Sequence, residues 1–394
     1  MELADRIKSV GASATLAVTG RAAQMKAQGI DVVSFGAGEP DFDTPAFIKD
    51  AAKAALDAGD TKYTPRCAGK LKAAVAEKLA KENGITVKPE QVLATFGAKH
   101  GLFNAFQVLL NPGDKVLIPA PYWVSYPEMV KLADGQCVFI PTSYESGYKI
   151  TPDDVLKFGR DAKILVMNSP NNPTGVTYTP AELKAIAQAV LKTNLVVFSD
   201  EIYEKLIYGD TKFVSFAALA PRLPERTLTF NGHAKAFSMP GWRIGWVAGP
   251  QNVIKAMATL GSHQTTDPVS FVQAGALAAY TDPQSAATVE KMRQEFEKRG
   301  RHMHQRLCGM PGVRCVKPTG AFYCFPDVSG NYGRSFGGTK VSDSLSFAAV
   351  ALEQAKVALV PGVAFGEDRC VRLSFATGMQ QIDKGLDRLE ALLK

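Results

Sequence analysis

The sequence predicts an α/β protein built on a mostly parallel sheet, and three observations carry the prediction. Short apolar, β-branched runs recur at residues 92–96, 115–118, 163–167, 195–199 and 226–230, near-continuous in the way of strands buried on both faces. Helical stretches such as 102–110 and 180–191 fall between them, the alternation that parallel crossovers require. Each of the five strands also runs into small or polar residues, at Gly97, Pro119, Asn168, Asp200 and Asn231. An open parallel sheet gathers ligand-binding groups at its carboxyl edge, so residues far apart in the chain are expected to converge there.

A chain of 394 residues allows two domains and a substantial core. Hydrophobic residues make up 46% and charged residues 21%, an ordinary globular balance. The net charge of +7 is spread without a dense Lys/Arg run, which argues against a nucleic-acid partner. The six cysteines are scattered, with no C-x-x-C pair and no histidines at ligand spacing, so no metal is expected. They suit reduced thiols in a cytoplasmic protein. The N-terminus has no apolar h-region and no stretch of about 20 apolar residues follows, so neither export nor membrane insertion is expected.

In chain order, residues 1–15 form an arm and 17–28 a helix stopped by Gly29. A strand at 31–35 leads to Gly36-Ala37-Gly38, where the glycines let the backbone approach a ligand. A helix is predicted over 49–57. The strand at 92–96, the loop Gly97-Ala98-Lys99-His100-Gly101 and the helix from 102 make a general anion site, because free N–H groups and the helix dipole face the ligand. An aromatic cluster, Tyr122-Trp123-Val124-Ser125-Tyr126, follows the strand at 115–118. Asn172-Pro173-Thr174-Gly175 reads as a turn. Asp200 closes a buried strand, where a carboxylate is costly unless a cation meets it. Beyond Pro250 the pattern turns helical, with a long amphipathic run at 286–308. Strands are predicted at 320–325, 357–360 and 370–376, and a mobile loop rich in Gly and Ser at 328–341. Arg372 is the one charge in its strand and wants a carboxylate.

The stretch from Asn231 to Gly245 holds a lysine, Lys235, between two predicted strands. Partial desolvation there would lower its pKa and free a neutral amine, which attacks an aldehyde to form a Schiff base. Arg243, eight positions on, suits a phosphate, and pyridoxal phosphate is an aldehyde that carries one.

From Lys235 through Gly241-Trp242-Arg243-Ile244-Gly245 the stretch resembles the signature of class I pyridoxal-phosphate aminotransferases, bacterial aspartate aminotransferases in particular. Further motifs of that family stand in order from about Gly36 to Arg372. The resemblance implies a fold-type I transferase with a mostly parallel seven-stranded sheet. It implies an arm over 1–15, a small α+β domain of 16–47 with 285–394, and a large cofactor-binding domain of 48–284. It places Lys235 on the cofactor aldehyde, Asp200 on the ring nitrogen, and Tyr203 and Asn172 on the ring oxygen. Trp123 would stack on the ring, with Ala98, Lys99 and Arg243 on the phosphate, joined by Tyr63 from a second subunit of a homodimer. Gly38 and Arg372 would meet the substrate carboxylate, and Lys99 the distal carboxylate of aspartate or glutamate. Two departures stand out. Ala234 replaces the family's common phosphate-binding serine, and the loop after Tyr63-Thr64-Pro65 is about one residue short, with Lys72 in place of an arginine. The implied reaction moves an amino group from aspartate to a 2-oxo acid. Aromatic amino acids, prephenate or alanine are the alternative substrates, and Ala14 in the arm favours aspartate over prephenate. A pyridoxal-phosphate lyase or synthase is a further reading, as is a binding module without catalysis, although the arm is too short for a DNA-binding domain.

Overall fold

The structure, a computed structural model, describes residues 1–63, 66 and 68–394. In chain order its strands are β1 (Val33–Ser34), β2 (Val92–Thr95), β3 (Lys115–Pro119), β4 (Gln136–Ile140), β5 (Ile164–Asn168), β6 (Val196–Asp200), β7 (Thr227–Gly232) and β8 (Gly245–Ala248). Six short ones follow: β9 (Tyr323–Cys324), β10 (Ser335–Phe336), β11 (Thr339–Lys340), β12 (Val357–Ala358), β13 (Val360–Pro361) and β14 (Val371–Ser374).

Seven strands make the main sheet, in the order β2-β8-β7-β6-β5-β3-β4. All its neighbours pair parallel except β8, which runs antiparallel to both β7 and β2. The carboxyl ends of β2, β3, β5, β6 and β7 therefore share one edge, and β8 begins at that same edge. Burial of both faces explains the continuous apolar runs. Val116, Ile118, Val166 and Phe198 enter one core with Leu102 and Phe106 of the helix Ala98–Leu109. Leu117, Leu165, Met167 and Val197 enter another, with Leu183 and Ile186 of Pro180–Val190. Successive side chains point to opposite faces, so a strand covered on both sides needs no polar alternation. β4 escaped the sequence pattern for the converse reason. It is the edge strand, Gln136 and Phe139 are exposed, and only Ile140 is buried.

A separate core joins the two ends of the chain. Val33 and Phe35 meet Phe296, Phe322 and Tyr323, together with Leu386 of the C-terminal helix Met379–Leu393. Three expectations are corrected here. The helix predicted from 102 starts at Ala98, because Gly97, at φ 80°, turns the chain directly out of β2. Residues 328–341 are not a loose loop: β10 and β11 form an antiparallel ribbon there, with Phe336 and Val341 buried. The strand at 357–360 divides, β12 pairing with β1 and β13 with β14. Among the described residues no helix is long and apolar enough to cross a membrane.

Candidate active site

The connection from β7 to β8 lies wholly at the carboxyl edge, because β7 ends there and β8 starts there. Gly232 and Gly245 face each other across this last rung. A Cβ on Gly245 would fall 2.6 Å from the Ala98 nitrogen and 2.8 Å from the Gly97 carbonyl carbon. The second glycine of G-W-R-I-G thus lets the Lys235 loop and the 97–99 turn touch backbone to backbone. Gly245→Ala is expected to lower stability by about 2 kcal/mol, since neither backbone yields cheaply; thermal melting measures it. Within the loop Ser238 and Arg243 hold φ of 51° and 52°. The Ser238 hydroxyl donates to the Phe42 carbonyl, and the Ser238 carbonyl accepts from Thr44 Oγ1 at 2.6 Å. Strained residues held this firmly are found where geometry serves a site.

Lys235 extends from this loop and donates through Nζ to the Gly38 carbonyl at 2.6 Å. Surrounding protein lowers its pKa to about 8, chiefly by desolvation; Glu39 and Asp200 oppose the shift, while Arg372 and Arg243 add to it. An amine half-neutral near pH 8 is a usable nucleophile. Covalent capture of a small aldehyde by the free protein should therefore rise with pH through a midpoint near 8. Mass spectrometry of the borohydride-reduced product reads it, and a midpoint above 10 would show that the amine is not desolvated.

Asp200 ends β6 with 4% of its surface exposed. Oδ2 accepts from the Tyr126 hydroxyl at 2.6 Å and Oδ1 from the Ile202 N–H at 3.2 Å. Among the described residues it forms no ion pair. Desolvation raises its pKa to about 6, against the Tyr126 bond, the Ile202 bond and the charge of Lys235. Asn168 is its register partner on β5 and donates Nδ2 to the Asp200 carbonyl at 3.0 Å.

Arg372, on β14, is 2% exposed, with its guanidinium 4.6 Å from the Tyr323 ring centre and 5.0 Å from that of Phe365. Nη1 donates to Asn172 Oδ1 at 3.0 Å and Nη2 to the Gly36 carbonyl at 2.9 Å; Nε has no partner. No carboxylate of the described residues pairs with it. Burial lowers its pKa, yet it stays a cation. Asn172 spends its oxygen on Arg372 and keeps its amide N–H groups free. The Tyr203 hydroxyl meets that of Tyr323 at 2.8 Å.

At the other end, Ala98 and Lys99 open the helix Ala98–Leu109, whose N-terminus has no side-chain cap. Arg243 donates to the Pro240 carbonyl at 2.8 Å and the Phe96 carbonyl at 3.2 Å, which brings its guanidinium against Gly97. Lys99 lies with Nζ 4.8 Å from the Trp123 ring centre, its pKa lowered by burial and then by the charge of Arg243. Two cations and a bare helix N-terminus make an anion cradle.

Lys235, Asp200, Tyr203, Asn172, Arg372, Gly38, Ala98, Lys99, Trp123 and Arg243 all line one cavity of about 490 Å³. Tyr63 does not line it. It stands 86% exposed, and Thr64, Pro65 and Cys67 lie outside the described residues. Sequence reasoning missed three participants. Tyr126 was read only as part of an aromatic cluster, Tyr323 only as a strand residue, and Glu39 not at all. A tyrosine three positions after Trp123 was the available signal for the first; the other two follow only from chain packing. Gly38 also meets Lys235 through its carbonyl, where an N–H toward a carboxylate was expected.

A buried carboxylate and a buried guanidinium with no ion-pair partner among the described residues, a low-pKa lysine and an anion cradle share one cavity. The chain belongs to the class I and II aminotransferases, whose family model matches residues 30–389. It is an aminotransferase. Over its full length it is 46% identical to the aspartate aminotransferase of Geobacillus stearothermophilus, covering 99% of that protein. It is 43% identical to a probable aspartate/prephenate aminotransferase of Aquifex aeolicus, at 100% and 98% coverage. Among solved structures, the aspartate aminotransferase of Rhizobium meliloti superposes with a TM-score of 0.95 at 38% identity, covering 100% of this chain and 99% of that one. The aspartate aminotransferase of Thermus thermophilus with maleate gives 0.93 at 42%, with full coverage of both.

Proposed function

We propose that the protein transfers the amino group of aspartate or glutamate to a 2-oxo acid such as 2-oxoglutarate, with pyridoxal 5′-phosphate as cofactor. One observation carries the reading: the unpaired Asp200, the desolvated Lys235 and the unpaired Arg372 line a single cavity. The cofactor fits the groups present. A protonated ring nitrogen supplies the cation that Asp200 lacks, and a phosphate supplies the anion that Ala98, Lys99 and Arg243 surround. When bound, pyridoxal 5′-phosphate supplies an aldehyde that condenses with amines and a ring that accepts the electron pair released at the substrate α-carbon.

Arg372 holds the substrate α-carboxylate, for which its buried fork is already aligned by Asn172 and Gly36. Lys235 would hold the cofactor through Nζ, and the same Nζ, when free and neutral, would take the proton from the substrate α-carbon and later return a proton as the acid. Asp200 would keep the ring nitrogen protonated, with Tyr126 fixing the carboxylate. Tyr203 and the amide N–H groups of Asn172 would hold the ring oxygen and Trp123 would cover the ring, while Gly38 lines the same cavity.

Acidic substrates are favoured because Lys99 is a cation at the cavity wall with no carboxylate partner among the described residues. The Thermus relative solved with maleate, a dicarboxylate, supports the same preference. Turnover of aspartate, phenylalanine and alanine with 2-oxoglutarate tests the reading, and a preference for phenylalanine or alanine sinks it. Lys99→Met should cost aspartate about 10- to 100-fold in kcat/KM, the worth of a hydrogen bond to a charged group, and leave alanine nearly unchanged. We read 1–15 as an arm, 16–47 with 285–394 as a small domain, and 48–284 as the cofactor domain, with Tyr203, Leu206 and Tyr208 of the latter entering the small domain's core. The bare Tyr63 favours a homodimer in which it reaches the phosphate of the second copy, in the cytoplasm.

A further inference from the structure

Asp200 reaches the cavity from the end of β6 and Tyr203 from the turn that follows, and the same turn sends two carboxylates the other way. Glu201 and Glu204 are buried, and neither lines the cavity. Glu201 Oε1 accepts from Ser199 Oγ at 2.8 Å and the Phe216 N–H at 3.1 Å, and Oε2 accepts from Ser215 Oγ at 2.6 Å. Asn83 Nδ2 bridges Ser215 Oγ at 2.6 Å and Glu204 Oε2 at 2.8 Å. Lys78 donates to Asn83 Oδ1 at 2.6 Å and pairs with Glu204. Lys78 ends the helix Ala68–Lys78, and Asn83 closes the π turn Leu79–Asn83. A π turn inside a helical run is rare and tends to mark a functional place.

Such a network is a poor way to gain stability, because desolvating the charges offsets most of their attraction. Its geometry suggests another use. Positions 200 and 203 face the cavity, while 201 and 204 face the network, so the turn behaves as a spool. The main chain holds it through Glu201 N–H to the Phe230 carbonyl and Glu204 N–H to the Glu201 carbonyl, both at 2.9 Å. A rotation of this spool would carry both cavity groups with it.

We infer that the Lys78–Asn83–Glu204–Ser215–Glu201 network is a brace that sets the angle of Asp200 and Tyr203, with Glu201 as a positioning residue for the reaction. The inference rests on the roles given above to those two side chains. A misplacement of reacting groups by an ångström is enough to cost about 100-fold in rate. Lys78 pairs with Glu204 and, at 3.5 Å, with Glu82, while Glu201 has only neutral partners among the described residues; burial raises the Glu201 pKa to about 7.

The test is Glu201→Gln in the holoenzyme, with Ser215→Ala as a milder variant that breaks one link and keeps the proposal testable if the first does not fold. The expected result for Glu201→Gln is a fall in kcat of about 10- to 100-fold with KM for aspartate within about 3-fold. The pH midpoint of the bound cofactor's visible absorbance should shift by about half a unit or more, as Asp200 turns away from the ring. Ser215→Ala should move both in the same direction by less. An unchanged midpoint and kcat, or losses that merely follow the melting temperature, overturn the brace. Asp200→Asn and Tyr203→Phe run alongside: if they act and the network variants do not, the brace alone fails. If neither control changes rate or absorbance, the assigned roles fail and the brace falls with them.

Discussion

Lys235→Ala is expected to lower turnover by about 10⁴-fold or more, because in the proposed reaction one side chain supplies both the covalent attachment and the proton transfer. Lys235 and Lys99 both line the cavity, but they differ physically. Lys99 lays its ammonium over Trp123 with its residue partly open to solvent, whereas Lys235 donates to the Gly38 carbonyl and has its pKa lowered to about 8. Borohydride reduction followed by mass spectrometry should place the cofactor on Lys235 in the unaltered protein and on no lysine in the variant. Lys99→Ala should leave the attachment intact. Full activity in Lys235→Ala, or attachment elsewhere, would remove the proposed reaction.

Asp200→Asn is expected to lower kcat by about 10²- to 10³-fold, the usual cost of removing a fixed charge that stabilises the transition state. Its effect on stability should have the opposite sign. In the cofactor-free protein the Asp200 pKa is raised from 3.8 to about 6. Between those values the folded state holds a proton that the unfolded chain has released. Stability therefore falls as pH rises through that window, and above about 6 the buried charge is a standing cost. Asparagine removes the cost, so the cofactor-free variant should melt higher than the original at pH 7 to 8 and no higher at pH 4. A variant that loses activity but not this pH-dependent penalty would show that Asp200 has a partner other than the cofactor.

Much of the site was legible because its chemistry demands unusual residues in unusual surroundings. Lys235, Asp200 and Arg372 are charges placed in or beside apolar strands, which a sequence displays plainly. The carboxyl-edge rule told where Asp200 and Lys235 must meet; Arg372 comes from β14 of a separate sheet, and only the fold brings it to the same cavity. The seven-stranded sheet was less evenly written. Its inner strands are buried on both faces and show as unbroken apolar runs, but edge strand β4, with Gln136 and Phe139 exposed, left no such trace. Helix starts were also misjudged. Ala98-Lys99-His100-Gly101 has no strong helical pattern, yet Gly97 in a left-handed turn begins the helix at once.

The sequence by itself determined the α/β class, the order of the main elements and the identity of the charged groups, because burial and periodicity are local properties of a chain. Only the tertiary structure decided the partners. Tyr126 on Asp200, Tyr323 beside Arg372 and Asn172 on Arg372 join residues 74, 49 and 200 positions apart, and the Lys78–Glu204 and Ser215–Glu201 links of the brace span 126 and 14. Such contacts depend on how strands and helices close on one another, and the free energy that selects them comes from packing the whole molecule.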